Sequence, residues 1–168
     1  MTQPPPALSA LAATDAAGLR ELLLEVCSSP AWAAAVAATR PWHDRAELSA
    51  ANAAATAGLS AADLRDAMAG HARIGTPKPG DAVSEREQAG VRGADPSVLA
   101  ELRAANTAYE AKFGHVFLVC ATGRTADGML AALRARYPND PATEAETVRE
   151  ELRKINEIRI DRLLDAPR

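Results

Sequence analysis

Aromatic residues make up only 4% of this 168-residue chain, and there are two cysteines. Cys27 and Cys120 lie far apart in apolar surroundings, which provides neither the dense spacing of a disulfide scaffold nor the CxxC of a metal knuckle. Both read as reduced. Positive charge is not in excess: 19 Lys and Arg stand against 22 Asp and Glu, a net charge of −3. Without a basic field for a phosphate backbone, nucleic acid is not an expected partner. Nowhere do about 18 uncharged apolar residues run together, so no membrane span is expected. The start, MTQPPPALSA, lacks the charged-then-apolar order of a secretory leader, and the closing APR is not a Ser-Lys-Leu address. A cytoplasmic location is the expectation. No HxH, HExxH or Cys/His spacing points to a metal, and Cys120 has no recognisable oriented base that would make its thiol a nucleophile.

What is present is alanine and leucine, with apolar residues at three- and four-residue spacing. That pattern predicts an all-α fold. The expectation is a compact single-domain bundle of about eight helices over 11–168, behind a flexible tail at 1–10. Helices are expected near 15–27, 31–39, 44–56, 60–70, 84–93, 96–113, 125–137 and 143–165. Ser60-x-x-Asp63, Ser84-x-x-Glu87 and Thr143-x-x-Glu146 each have the form of a capping box, Pro30 and Pro96 suit a first turn, and Gly114 suits a helix stop. One segment breaks the pattern. HVFLVCA, 115–121, reads locally as an extended apolar stretch with no partner strand, so its backbone N–H groups need another acceptor: a turn, a side chain, water or a ligand.

Several polar residues stand where apolar ones belong. On the last helix Val148, Leu152, Ile155 and Leu163 form a stripe with Arg159 in its middle. Its guanidinium either snorkels to water, pairs with a carboxylate, or waits for a planar anion. Asn106 interrupts the face formed by Leu99, Leu102, Tyr109 and Phe113, either capping a neighbouring backbone or shaping a pocket wall. Ser84, Glu87 and Gln88, at i, i+3 and i+4, place a hydroxyl, a carboxylate and an amide on one helix face. Capping accounts for the first two, and ligand binding at a helix start accounts for all three. His71 precedes a loop with two prolines and two glycines, and imidazole is the side chain suited to proton transfer near neutrality.

Taken in order, SPAWAAAVAATRPW at 29–42, HARIG at 71–75, SEREQAGV at 84–91, Asn106-x-x-Tyr109 leading into KFGHVFLVCATGR at 112–124, and EELRKINEIRIDRLL at 150–164 resemble the 2-oxo-4-hydroxy-4-carboxy-5-ureidoimidazoline (OHCU) decarboxylases of urate breakdown. The resemblance covers nearly the whole chain. It implies an all-helical enzyme without metal or organic cofactor, acting on a small anionic substrate to give (S)-allantoin. It also implies His71 as the acid/base and Glu87 as its carboxylate partner. Ala72, Ser84 and Gln88 would line the substrate, Leu118, Val119, Cys120 and Ala121 would offer it backbone groups, and Arg159 would close the pocket. Two departures stand out: Ala72 replaces a proline common after the histidine, and His115-Val116 replace Phe-Pro. A homodimer stays open, as do two other functions, a non-catalytic helical binding module and a related small-acid lyase or tautomerase.

Overall fold

The computed structural model describes residues 5–76 and 80–166. Pro77 and Pro79, the two prolines of the loop after His71, lie outside the described residues. Among those described there are nine α-helices and no strand: α1 (Pro6–Ala13), α2 (Ala16–Val26), α3 (Pro30–Ala37), α4 (Arg45–Ala57), α5 (Ala61–Ala69), α6 (Ala82–Glu87), α7 (Pro96–Phe113), α8 (Ala126–Arg136) and α9 (Pro141–Asp165), with a 3-10 turn at Ala89–Val91.

The chain divides into two compact units, where length alone suggests one domain. Met1–Gly70 with Leu152–Arg168 form the first and His71–Glu151 the second, so α9 changes unit between Glu151 and Leu152.

In the first unit α1 starts inside the segment expected to be a tail. Pro6 sits in its first turn, where a missing N–H costs nothing, and Leu8 and Leu11 are fully buried. Helix α3 packs against α2, α4 and α5. Its start is fixed by Ser29, whose hydroxyl accepts the Trp32 N–H, and by Pro30 at the first position. Trp32 and Val36 are buried on one face. The Trp32 indole donates to Asn52 Oδ1 at 3.2 Å, and Asn52 Nδ2 reaches the Arg153 carbonyl at 3.0 Å, so a buried amide ties α3 and α4 to the last helix. The capping box expected at Ser60 and Asp63 is formed in full.

In the second unit α7 packs on α8 around Leu102, Tyr109, Phe117, Val119, Ala121, Met129 and Leu133. Pro96 starts α7 as expected, and Gly114 ends it in the left-handed region at φ 76°, a conformation that costs glycine nothing.

Two helix starts differ from expectation in the same way. The expected box at Ser84 is not there. Asp81, three residues earlier, accepts the Ser84 N–H at 3.1 Å and the Ser84 hydroxyl at 2.6 Å, so α6 begins nearly a turn sooner. Likewise Asp140 accepts the N–H groups of Ala142 and Thr143 and the Thr143 hydroxyl, displacing Thr143 as the cap of α9. A carboxylate outcompetes a hydroxyl for the same orphan donors, being the charged acceptor at the positive end of the helix. The expected helix at 84–93 also stops early, at Glu87, and continues as the 3-10 turn.

Candidate active site

Residues 71–76 form no helix or strand, yet they are held from several directions. Gln88, at the end of α6, accepts the Gly75 N–H on Oε1 at 2.9 Å. Its Nε2 lies 3.3 Å from the Arg73 carbonyl and 3.5 Å from that of Ala72. From α7, Asn106 Nδ2 donates to the Ile74 carbonyl at 2.9 Å, and Glu110 pairs with Arg73 at 2.5 Å. Gly75 has φ 84°, and a Cβ there would press on Leu102 at 3.3 Å. Only glycine makes that turn without strain. The loop carrying His71 is therefore a fixed piece of the second unit. His71 and Ala72 are themselves half-buried.

Asn106 takes the backbone-capping role on the Ile74 carbonyl. Gln88 is buried and its amide is occupied by the His71 loop, and Ser84 is buried with its hydroxyl on Asp81. Both position the loop and helix within the second unit. Glu87 is half-exposed at the end of α6, near enough for its charge to add to the upward push on the Cys120 thiol.

A close approach holds the 3-10 turn that follows. A Cβ on Gly90 would lie 1.8 Å from the Arg124 carbonyl oxygen, a backbone atom that has no side-chain freedom with which to yield. The chain after α6 thus lies directly on the turn that closes the apolar segment.

That segment, 116–121, has no strand partner among the described residues and is held by side chains. Phe117, Val119 and Ala121 share the core of the second unit, whereas Leu118 and Cys120 do not. This alternation marks extended backbone. Arg136 Nη1 donates to the Leu118 carbonyl at 2.7 Å, Glu151 Oε2 accepts the Cys120 N–H at 2.7 Å, and Arg124 Nε donates to the Cys120 carbonyl at 3.1 Å. Arg136 is itself pinned. Its Nε and Nη2 reach Glu144 Oε1 at 2.9 and 2.5 Å, its guanidinium lies 4.6 Å from the centre of the Phe117 ring, and Glu144 also accepts the Tyr109 hydroxyl and the Asn139 amide.

Burial by itself would raise the Glu144 carboxyl, but the bonds from Arg136, Tyr109 and Asn139 hold it below the usual range. Burial, aided by the bond to Glu144, pushes the Tyr109 phenol far up, so it stays protonated. The Cys120 thiol is also pushed up, first by burial and then by the charges of Glu151 and Glu87. It is a neutral neighbour of the carboxylates.

Arg136, Glu144 and Glu151 are not among the residues that the motifs single out. The signal was available: Arg136 follows Met129 and Leu133 at i+7 and i+3, and Glu144, Val148, Glu151 and Ile155 share one stripe, the same pattern that singled out Arg159. Arg159 lies in the first unit. It is half-buried, and its Nη1 donates to the Val26 carbonyl at the end of α2 at 2.9 Å, a cation on the negative end of a helix. Among the described residues no group of three His, Cys, Asp or Glu side chains is arranged to hold a metal ion, and no helix is long and apolar enough to cross a membrane.

The sequence model of the OHCU decarboxylase family matches residues 12–161. Among curated proteins, the uric acid degradation bifunctional protein TTL of Arabidopsis thaliana is 38% identical over 62% of this chain and 35% of its own length. The 2-oxo-4-hydroxy-4-carboxy-5-ureidoimidazoline decarboxylase of Amia calva is 31% identical over 49% of this chain and 47% of its own. The chain thus spans from about a third to about half of the curated relatives it matches. A solved OHCU decarboxylase, crystallised in the presence of (S)-allantoin, superposes with a TM-score of 0.74 at 30% identity, covering 88% of this chain and 99% of that one. A solved (S)-allantoin synthase superposes at 0.69 over 94% of this chain and 53% of its own, at 20% identity, a likeness of fold alone.

Proposed function

Since this chain belongs to the OHCU decarboxylase family, we propose that it is a carboxy-lyase that converts 2-oxo-4-hydroxy-4-carboxy-5-ureidoimidazoline to (S)-allantoin with its own side chains alone. The substrate carries its carboxylate on a hydroxylated carbon next to a ring C=N. When the bond to CO2 breaks, its electron pair forms a C=C with the neighbouring ring carbon, and the C=N pair moves onto nitrogen. The nitrogen takes up a proton, and the resulting enol becomes a carbonyl as the neighbouring carbon takes a proton and the hydroxyl gives its own up to solvent. The substrate supplies its own electron sink, so the protein has to orient the carboxylate, stabilise charge on the ring, and deliver that proton to one face.

His71 is assigned the proton delivery, with Glu87 holding the imidazole or the substrate. Val119 and the Ala121 N–H offer the ring the backbone edge opposite the Arg136 and Glu151 contacts, since alternate residues of an extended chain point their polar groups to opposite edges, while the Ala121 carbonyl is taken by the Arg124 N–H at 3.0 Å. Arg159 is assigned to the substrate's anionic charge, where a planar guanidinium matches a carboxylate. Ser84 and Gln88 support the site through the bonds described above. The observation that carries the proposal is the bracing of the His71 loop by Gln88 from α6, because a proton donor that must choose one face of a planar carbon needs a fixed backbone.

The test is to generate the labile substrate in place from urate with uricase and hydroxyisourate hydrolase and follow optical rotation. The proposal expects (S)-allantoin to accumulate faster than in the absence of the chain. Racemic allantoin at the spontaneous rate contradicts it and leaves the binding module standing. The expected cytoplasmic location and homodimer belong to the same proposal, and cell fractionation and sedimentation test them.

A further inference from the structure

Three side chains fasten one edge of the extended segment: Arg136 on the Leu118 carbonyl, Glu151 on the Cys120 N–H, and Arg124 on the Cys120 carbonyl. All three contacts fall on residues 118 and 120, whose polar backbone groups share an edge. Of the three, Glu151 supplies the acceptor. A backbone N–H at this depth needs a partner, and where a sheet would provide a carbonyl from the next strand, here a buried carboxylate does.

Resting on the decarboxylase reading above, we propose that Glu151 is a positioning residue: by taking the Cys120 N–H on the same edge as the Arg136 contact, it fixes the rotation of the 118–121 backbone and so keeps the other edge, with the Val119 groups and the Ala121 N–H, turned toward the substrate. It stands in for a missing strand. Its effect on catalysis is indirect, through the peptide it holds, and the Cys120 thiol beside it, under the charges of both Glu151 and Glu87, moves with that peptide.

Two substitutions separate this role from bulk stability. Glu151→Gln retains a carbonyl oxygen at the same reach, and Glu151→Ala removes the acceptor. Amide hydrogen exchange read by NMR provides a measure that needs no turnover. Glu151→Ala is expected to speed exchange at Cys120 by about tenfold to a hundredfold, the factor set by leaving a buried donor unsatisfied, while amides of Leu102 and Leu133 keep the parent's rates. Under the same in-place substrate assay, Glu151→Ala is expected to lose about tenfold or more in kcat/KM per folded molecule and part of its (S) excess, with Glu151→Gln restoring most of both. Unchanged exchange at Cys120, or an alanine variant that matches an active parent in kcat/KM and (S) excess, overturns the positioning role while leaving the decarboxylase reading intact. A parent chain with no turnover overturns both.

Discussion

Gln88 Oε1 accepts the Gly75 N–H at 2.9 Å, and through that bond the end of α6 holds the backbone four residues beyond His71. The same amide turns its Nε2 toward the carbonyls of Ala72 and Arg73, so donor and acceptor are both used and their order matters.

Replacing Gln88 with glutamate keeps the Gly75 contact but sets a carboxylate oxygen against two carbonyl oxygens. Gln88→Glu is therefore expected to cost about 1–3 kcal/mol at neutral pH, the scale of a buried polar group left without its partner. Acid should recover part of the loss, because a protonated carboxyl can donate again. Urea unfolding of parent and variant at pH 7 and pH 4.5 checks this. A variant equally stable at both would show that the Nε2 contacts contribute nothing.

Gly90→Ala places a methyl carbon 1.8 Å from the Arg124 carbonyl oxygen. Because the obstacle is backbone, the turn at 122–124 or the 3-10 turn must move. The expected cost is about 3 kcal/mol, toward the upper end of the usual overpacking range, with activity falling further than stability, since α6 and the apolar segment are displaced against one another. Thermal unfolding and the in-place substrate assay measure the two effects separately.

Glu144 gives the second unit an acid limit. Its folded carboxyl lies below the usual range, so the stability it confers is fully present above the ordinary glutamate value of about 4.3 and is lost as pH falls through the lowered folded value. Glu144→Gln leaves the Arg136 guanidinium buried without its counter-ion, which costs about 3–5 kcal/mol at pH 7. The difference between parent and variant is expected to shrink steadily below pH 4, where the parent's carboxyl is also neutralised. Urea unfolding from pH 3 to pH 7 reads the two curves, and a gap that stays constant in acid would count against the pair.

Much of the fold was legible because helix periodicity and Pro, Gly and Ser signals act locally. Pro30, Pro96, Gly114 and the Ser60–Asp63 box stand where the sequence puts them. The failures share a cause. At Ser84 and Thr143 the sequence offers a hydroxyl as the cap, but an aspartate three residues earlier competes for the same orphan N–H groups and wins. At the Pro-rich start, composition suggested a tail, whereas Leu8 and Leu11 bury enough apolar surface to hold a helix. In the candidate site, the extended form of 118–121 is legible from its apolar run, and His71 and Glu87 stand out in the sequence by their chemistry. The protein partners of Gln88 and Ser84 are not legible there, since which polar atom a side chain meets depends on how distant pieces pack. Arg136, Glu144 and Glu151 each place a charge on an apolar stripe, but their partners are backbone and side chains that only the folded chain brings near.

The assignment of His71 as the group that places a proton on one face of the product is tested most directly by His71→Ala. Substrate generated in place from urate is followed by both rate and optical rotation. Loss of a general acid of this kind is worth about 10²–10⁴-fold in rate, and the variant is expected to fall by that much and to release allantoin of nearly zero net rotation. A folded His71→Ala protein that yields (S)-allantoin as fast and as selectively as the parent would contradict it.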